Sequence, residues 1–194
     1  MAAHALIFDL DGTLWDSHPL YAAVIESRGG QGSLKTMEAL RNGGNTAKLL
    51  RDVGVREGNF PMELRRHRSA LCLYPMVEDK FASLSSAKAY VGVVTSLPEW
   101  IWRPMISAVG IPVVATAIEG WSRGFSKAIA IRRVLAALGI PGGGGAWYVG
   151  DMASDGLAAK SAGVSFAWAS WGYAHQPLKQ SGRELLSFAD VLDL

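Results

Sequence analysis

Five short runs along the chain are apolar without alternation: 4–8 (HALIF), 90–94 (YVGVV), 112–116 (PVVAT), 146–150 (AWYVG) and 164–169 (VSFAWA). Runs this short, rich in β-branched and aromatic side chains, are the pattern of strands in a parallel sheet covered on both faces. Between them the period changes. In 126–139 (SKAIAIRRVLAALG), Ile129, Ile131, Val134, Leu135 and Leu138 recur at helical spacing, with Ser126 placed to cap the start and Gly139 to end it. Alternation of this kind predicts an α/β fold built on a doubly wound parallel sheet.

One segment breaks the rhythm. From 16 to 74 no run reads as a strand; helical pieces (HPLYAAVIESR, LKTMEALRNG, TAKLLRDVG, FPMELRRHRSALCLY) follow one another across Gly-rich joints such as 29–33 (GGQGS). The pattern predicts a small helical domain, 16–74, inserted after the first strand, with 1–15 and 75–194 forming the sheet domain. The run GGGG at 142–145 precedes a strand instead of following one, so it reads as a connector and not as a phosphate-cradling loop.

Composition narrows the class. The 194 residues are 49% hydrophobic and 19% charged, and no apolar run is long enough to span a bilayer. The N-terminus lacks the basic and apolar regions of a secretory signal. Cys72 is the only cysteine, which excludes an internal disulfide and a cysteine-rich zinc site and favours the reducing cytoplasm. Net charge is +2, with nine basic residues against six acidic ones in 16–74, a local +3. That excess suits a solvated helical face or attraction of a small anion, and is too dispersed for nucleic acid.

In open parallel sheets ligands bind beyond the carboxyl ends of the strands, so the residues there decide the chemistry. The first run ends in Asp9 and Asp11, the second in Thr95 and Ser96, and the fourth in Asp151, with Asp155 behind it. The third leads through AIEGWSRGFS to Lys127, a lysine at a helix start, where the helix dipole disfavours it. Four carboxylates drawn into one crevice would raise one another's pKa unless a cation lay among them. A hard divalent ion with oxygen ligands and room for water, Mg²⁺, answers that problem.

Those residues resemble the four ordered motifs of the haloacid dehalogenase (HAD) superfamily: DLDGT (9–13), the strand ending VVTS (93–96), Lys127, and GDMASD (150–155). DLDGTLWDS, the helical insert, YP at its end, AAKSAGV and SWGY are similar to the phosphoglycolate phosphatase-like branch. The resemblance implies a HAD-like Rossmannoid core with a C1-type helical cap at 16–74. It implies a Mg²⁺-dependent phosphatase acting on a small phosphorylated metabolite through an aspartyl-phosphate. Asp9 is then the nucleophile and Asp11 the general acid and base. Gly12, Thr95, Ser96 and Lys127 bind phosphate, and Asp9, Asp11 (through its carbonyl), Asp151 and Asp155 hold the metal, with an acid at a helix N-terminus, favoured by the helix dipole, as the rival reading of Asp155. Thr13 is expected to hold Asp11 or the loop. Arg41 and Asn42 stand where relatives often carry specificity residues, and Trp171 and Tyr173 are expected to pack.

The chain departs from the family at Ala128 and Met76, where relatives carry Pro and Gly, and in the aromatics Trp121 and Phe125, which either pack or line the entrance. Asp11 argues against a dehalogenase or phosphonatase, which lack an acid there. No G-x-G-x-x-G follows the first strand, against a dinucleotide enzyme. Asp9 and Asp11 are too near in sequence to flank a sugar as glycosidase carboxylates do. Phosphoryl transfer to a second acceptor, as in a phosphomutase, and an inactive binding protein of the same fold are the alternatives. The substrate and the oligomeric state are not legible.

Overall fold

A computed structural model describes residues 5–30, 32–41, 46–86, 89–109, 117–174 and 182–194. In chain order its elements are β1 (Ala5–Phe8), β2 (Trp15–Asp16), α1 (His18–Ser27), α2 (Ser33–Arg41), α3 (Thr46–Asp52), α4 (Phe60–Arg66), β3 (Cys72–Leu73) and α5 (Val77–Ser86). Then come β4 (Tyr90–Pro98), α6 (Glu99–Val109), β5 (Ala117–Trp121), α7 (Lys127–Ala137), β6 (Ala146–Gly150), α8 (Ala153–Ala162), β7 (Ser165–Ala169) and β8 (Arg183–Leu185), closed by a 3-10 turn, Phe188–Asp193.

Two compact units emerge. The first takes Met1–Trp15, Leu73–Glu99 and Ile111–Leu194. Its six-stranded sheet has the order β5-β4-β1-β6-β7-β8, and every neighbouring pair is parallel. All four residues of β1 are buried because both faces are covered. Ile7, Tyr148 and Phe166 pack one way, against Ile131, Val134 and Leu135 of α7. Phe8 packs the other way, its ring centroid 5.4 Å from Phe81 of α5 and 5.5 Å from Phe188. Burial of each such ring contributes about 2 kcal/mol. After β1 the chain adds β4 on one side and later β6 on the other, so the strand order reverses at β1, where α/β sheets open a binding crevice.

The second unit takes Asp16–Cys72 and Trp100–Gly110. Leu20, Val24, Ile25, Leu50 and Leu64 supply its buried apolar face. Glu63, 2% exposed, is held by Arg28 at 2.5 Å and Arg66 at 3.0 Å. Hydrogen bonding to Arg28 keeps its carboxyl below the ordinary range. Trp100–Gly110 joins this unit because Trp100, Ile101, Pro104 and Met105 of α6 share an apolar cleft with Pro61 and Leu64 of α4, although it lies within 75–194, which the sequence pattern assigns to the sheet domain.

Several elements differ from expectation. The run at 112–116 lies outside the described residues, and a strand of the sheet is β5, in AIEGW, which the sequence pattern does not assign to a strand. β4 runs on to Pro98, with its register against β5 shifting between Val94 and Pro98, so Thr95 and Ser96 sit in an irregular strand end instead of after it. β8 is only three residues long and too short for any periodicity to declare itself. A two-stranded sheet pairs β2 with β3, within and beside the segment read as free of strands. The glycine run forms a hydrogen-bonded turn, Ala146 N–H donating to the Gly143 carbonyl at 3.0 Å. Ser126 occupies the cap position of α7 without a side-chain cap bond.

Met76 carries a φ of +68°, the one positive value at a non-glycine among the described residues. It stands where the resemblance expects Gly. A side chain in this region costs roughly 1–2 kcal/mol, partly offset by the backbone entropy glycine loses on folding. Met76→Gly is therefore expected to raise stability by about 1 kcal/mol and the melting temperature by about 2–4 °C, read by thermal denaturation. A lower melting temperature would show that Met76, half-exposed as it is, earns its place by packing.

Candidate active site

β1 stops at Phe8 and delivers Asp9 to the reversal point, with its N–H donating to the Val149 carbonyl of β6 at 2.8 Å. β6 in turn delivers Asp151, and the first turn of α8 delivers Asp155. These three carboxylates are buried, and each offers an oxygen within 4.8 Å of the others'. Lys127, at the start of α7, lies among them: Nζ is 3.1 Å from Asp9 Oδ2 and 2.6 Å from Asp155 Oδ1. Asp155 also accepts the Met152 N–H at 2.9 Å, so one carboxylate both caps α8 and fixes the lysine. Asp155 is thus both an acid in the first turn of α8 and a member of the site.

Asp11 is not one of that trio. β1 ends at Phe8, three residues before Asp11, so strand alternation does not fix the direction of Asp11 relative to Asp9. The turn instead passes through Gly12, at φ +83°, where an added Cβ would lie 2.5 Å from Asp151 Oδ2. Only glycine lets the backbone pass there. Thr13 is buried and donates to Asp151 Oδ1 at 3.5 Å, not to Asp11. Thr95, 1% exposed, accepts the Leu97 N–H at 3.1 Å, which leaves its hydroxyl proton to donate elsewhere; Ser96 beside it is exposed.

Electrostatics follow from the crowding. Burial pushes Asp9 well above the ordinary carboxylate range, Asp155 adds to the rise, and Lys127 opposes it. Burial also raises Asp151, to about 7, against the restraining N–H of Tyr173. Burial works against the charge of Lys127, but Asp9 and Asp155 outweigh it and hold the ammonium protonated far above its usual range. One ammonium thus faces three carboxylates. The family model of the haloacid dehalogenase-like hydrolases matches residues 6–169. A phosphoglycolate phosphatase of Xanthomonas campestris pv. campestris (strain 8004) is 31% identical over 186 residues, 87% of this chain and 84% of that protein.

The chain belongs to the haloacid dehalogenase-like hydrolases. The fold agrees. A HAD-superfamily hydrolase of subfamily IA, variant 1, from Geobacter sulfurreducens superposes with a TM-score of 0.74 at 19% identity, over 98% of this chain and 95% of that one. The CbbY of Rhodobacter sphaeroides, solved in complex with phosphate, gives 0.70 at 18%, over 99% of this chain and 100% of that one.

The hydrolase's donor set fits a hard divalent cation: oxygen ligands only, buried, with more negative charge than Lys127 balances. Asp9, Asp151 and Asp155 would hold it. Of the specificity candidates, Arg41 ends α2 and Asn42 lies outside the described residues. Of the two aromatics before Lys127, Phe125 packs against the core beside α7.

Trp171 and Tyr173 are more than packing residues. The Trp171 ring does meet Phe188 edge-on at 6.0 Å, yet its Nε1–H donates to the Thr13 carbonyl at 3.0 Å. The Tyr173 N–H donates to Asp151 Oδ2 at 2.8 Å and its hydroxyl to Asp11 Oδ1 at 2.8 Å. Trp168 Nε1–H donates to the Asp151 carbonyl at 3.2 Å. The signal lay in SWGY, polar-tipped aromatics directly after a strand's carboxyl end.

Proposed function

We infer that this hydrolase cleaves a small phosphate monoester through a covalent phosphate on Asp9, and that phosphoglycolate is the first ester to try. The observation that carries the reading is Asp9 at the reversal point of the sheet, 3.1 Å from a lysine and grouped with two further buried carboxylates. The Xanthomonas relative's name supports the choice of phosphoglycolate.

Each role follows from the chemistry of the group. Asp9 Oδ attacks phosphorus as the bond to the ester oxygen breaks, splitting one hard displacement into two easier ones. Asp11 gives its proton to the departing oxygen. Water then attacks phosphorus, Asp11 takes its proton, and the bond to Asp9 breaks, releasing inorganic phosphate and restoring the carboxylate. Lys127, held protonated by Asp9 and Asp155, offsets the charge gathering on the phosphoryl oxygens, where the Thr95 hydroxyl and the Ser96 N–H also donate. Mg²⁺, when bound by Asp151, Asp155 and Asp9 with the Asp11 carbonyl, supplies electrostatic stabilisation of the phosphoryl group. Residues 16–74 act as the cap that excludes water and reads the leaving group, with Arg41 and Asn42 as its candidates.

The setting is the cytoplasm, in keeping with a single, exposed thiol at Cys72, with neither nucleic acid nor membrane as partner. No helix among the described residues is long and apolar enough to cross a membrane. Phosphate release from phosphoglycolate, sugar phosphates, nucleoside monophosphates and an aryl phosphate, each with Mg²⁺, tests the assignment. Metal-dependent release supports it and ranks substrates. Folded, Mg²⁺-supplied protein that releases phosphate from none of them refutes it.

A further inference from the structure

The turn after β7 reaches both acidic loops of the site at once. Ser170 anchors it, N–H and Oγ–H both donating to the Leu185 carbonyl at 3.1 and 2.8 Å, and Gly172 N–H closes it on the Ala169 carbonyl at 3.1 Å. A Cβ on Gly172 would overlap Asp151 Cβ and the Gly12 carbonyl, so the turn lies directly on the backbone that carries Asp11. From this seat Trp171 binds the Thr13 carbonyl, and Tyr173 binds Asp151 through its N–H and Asp11 through its hydroxyl.

We propose that Tyr173 is the positioning residue for the proton carrier Asp11, its hydroxyl holding Oδ1 so that Oδ2 faces the ester oxygen. The proposal rests on the phosphatase reading and adds to it a residue outside the four motifs. The bond matters for a local reason: Asp11 is half-buried and lies past the end of β1, paired only in an isolated bridge to Trp15, so strand alternation does not set its direction. A phenol donor at 2.8 Å on one oxygen supplies that direction.

The test is a leaving-group series. The ratio kcat/KM reports steps up to departure of the alcohol, so it sees Asp11 as acid but not as base. An alkyl ester needs that proton; a nitrophenyl ester does not. Tyr173→Phe is expected to lower kcat/KM for alkyl phosphates about tenfold, the scale of one hydrogen bond to a charged group, and for nitrophenyl phosphate less than about threefold by the same measure. Tyr173→His keeps a ring donor and is expected to recover part of the alkyl rate; it also carries the test if the Phe variant does not fold. Trp171→Phe cuts a bond of the same turn to Thr13 and is expected to lower the melting temperature with the alkyl-to-nitrophenyl ratio unchanged. Equal losses on all esters in the Tyr173 variants, or no loss, overturn the proposal. A wild type that hydrolyses no ester overturns the phosphatase reading itself, a separate outcome.

Discussion

Asp9→Asn is expected to abolish turnover, by about 10⁴-fold or more as for other lost nucleophiles, and to leave the metal-free fold at least as stable as before. The first half follows from the role: an amide oxygen cannot form and release a carboxyl phosphate. The second follows from where Asp9 sits. It is 6% exposed, and burial, with Asp155 and Asp151 nearby, raises its pKa well above its ordinary value of 3.8, Lys127 opposing. A carboxyl whose folded value is raised stabilises the fold below its unfolded value, and that contribution is lost as pH rises through the folded value. At neutral pH the unfolded chain gives up this proton more readily than the folded one. Asn has no proton to lose, so the metal-free variant escapes that penalty, and Lys127 keeps Asp155 at 2.6 Å as its partner. Phosphate release and thermal denaturation of the same preparation check both halves. A folded variant keeping more than a hundredth of wild-type turnover would remove Asp9 as nucleophile.

How much of this could be read from the sequence depended on whether a feature was local. The strand run at 146–150 coincides with β6, because a strand buried on both faces is apolar at every position and ends where a polar group must begin. Asp9, Asp151, Asp155 and Lys127 could be placed together because parallel strands share one carboxyl edge. What stayed hidden is pairing across long separations. Tyr173 is 162 residues from Asp11, and nothing near either residue announces the bond. β5 escaped because AIEGW mixes polar and apolar residues at the sheet's edge, where, among the described residues, one side has no paired strand. The membership of α6 in the second unit is likewise a matter of tertiary contact: its apolar face reads the same whichever surface covers it.

Removal of metal is expected to stop turnover, and its addition to stabilise the chain in a pH-dependent way that is measurable without substrate. The physical cause is the imbalance of one ammonium against Asp9, Asp151 and Asp155, whose ligand oxygens all lie within 4.8 Å of one another. At a hundredfold excess over Kd, Mg²⁺ is expected to add about 2.7 kcal/mol, a rise in melting temperature of about 5–10 °C for a chain of this length. Carboxylates bind metal only after losing their protons, and Asp151 holds its proton up to about 7 because it is buried. Below that value binding must expel the Asp151 proton, so apparent affinity is expected to strengthen by about tenfold per pH unit on its account. Above about 7 that part of the slope disappears, whatever Asp9 still contributes. A titration of melting temperature with Mg²⁺ from pH 5 to pH 8, in wild type and Asp151→Asn, separates the cases. The variant is expected to bind far more weakly and to lose the bend near 7. Equal stabilisation of both proteins at every pH would place the cation somewhere other than among these carboxylates, and EDTA-resistant turnover would require Lys127 and Thr95 to carry the phosphoryl charge alone.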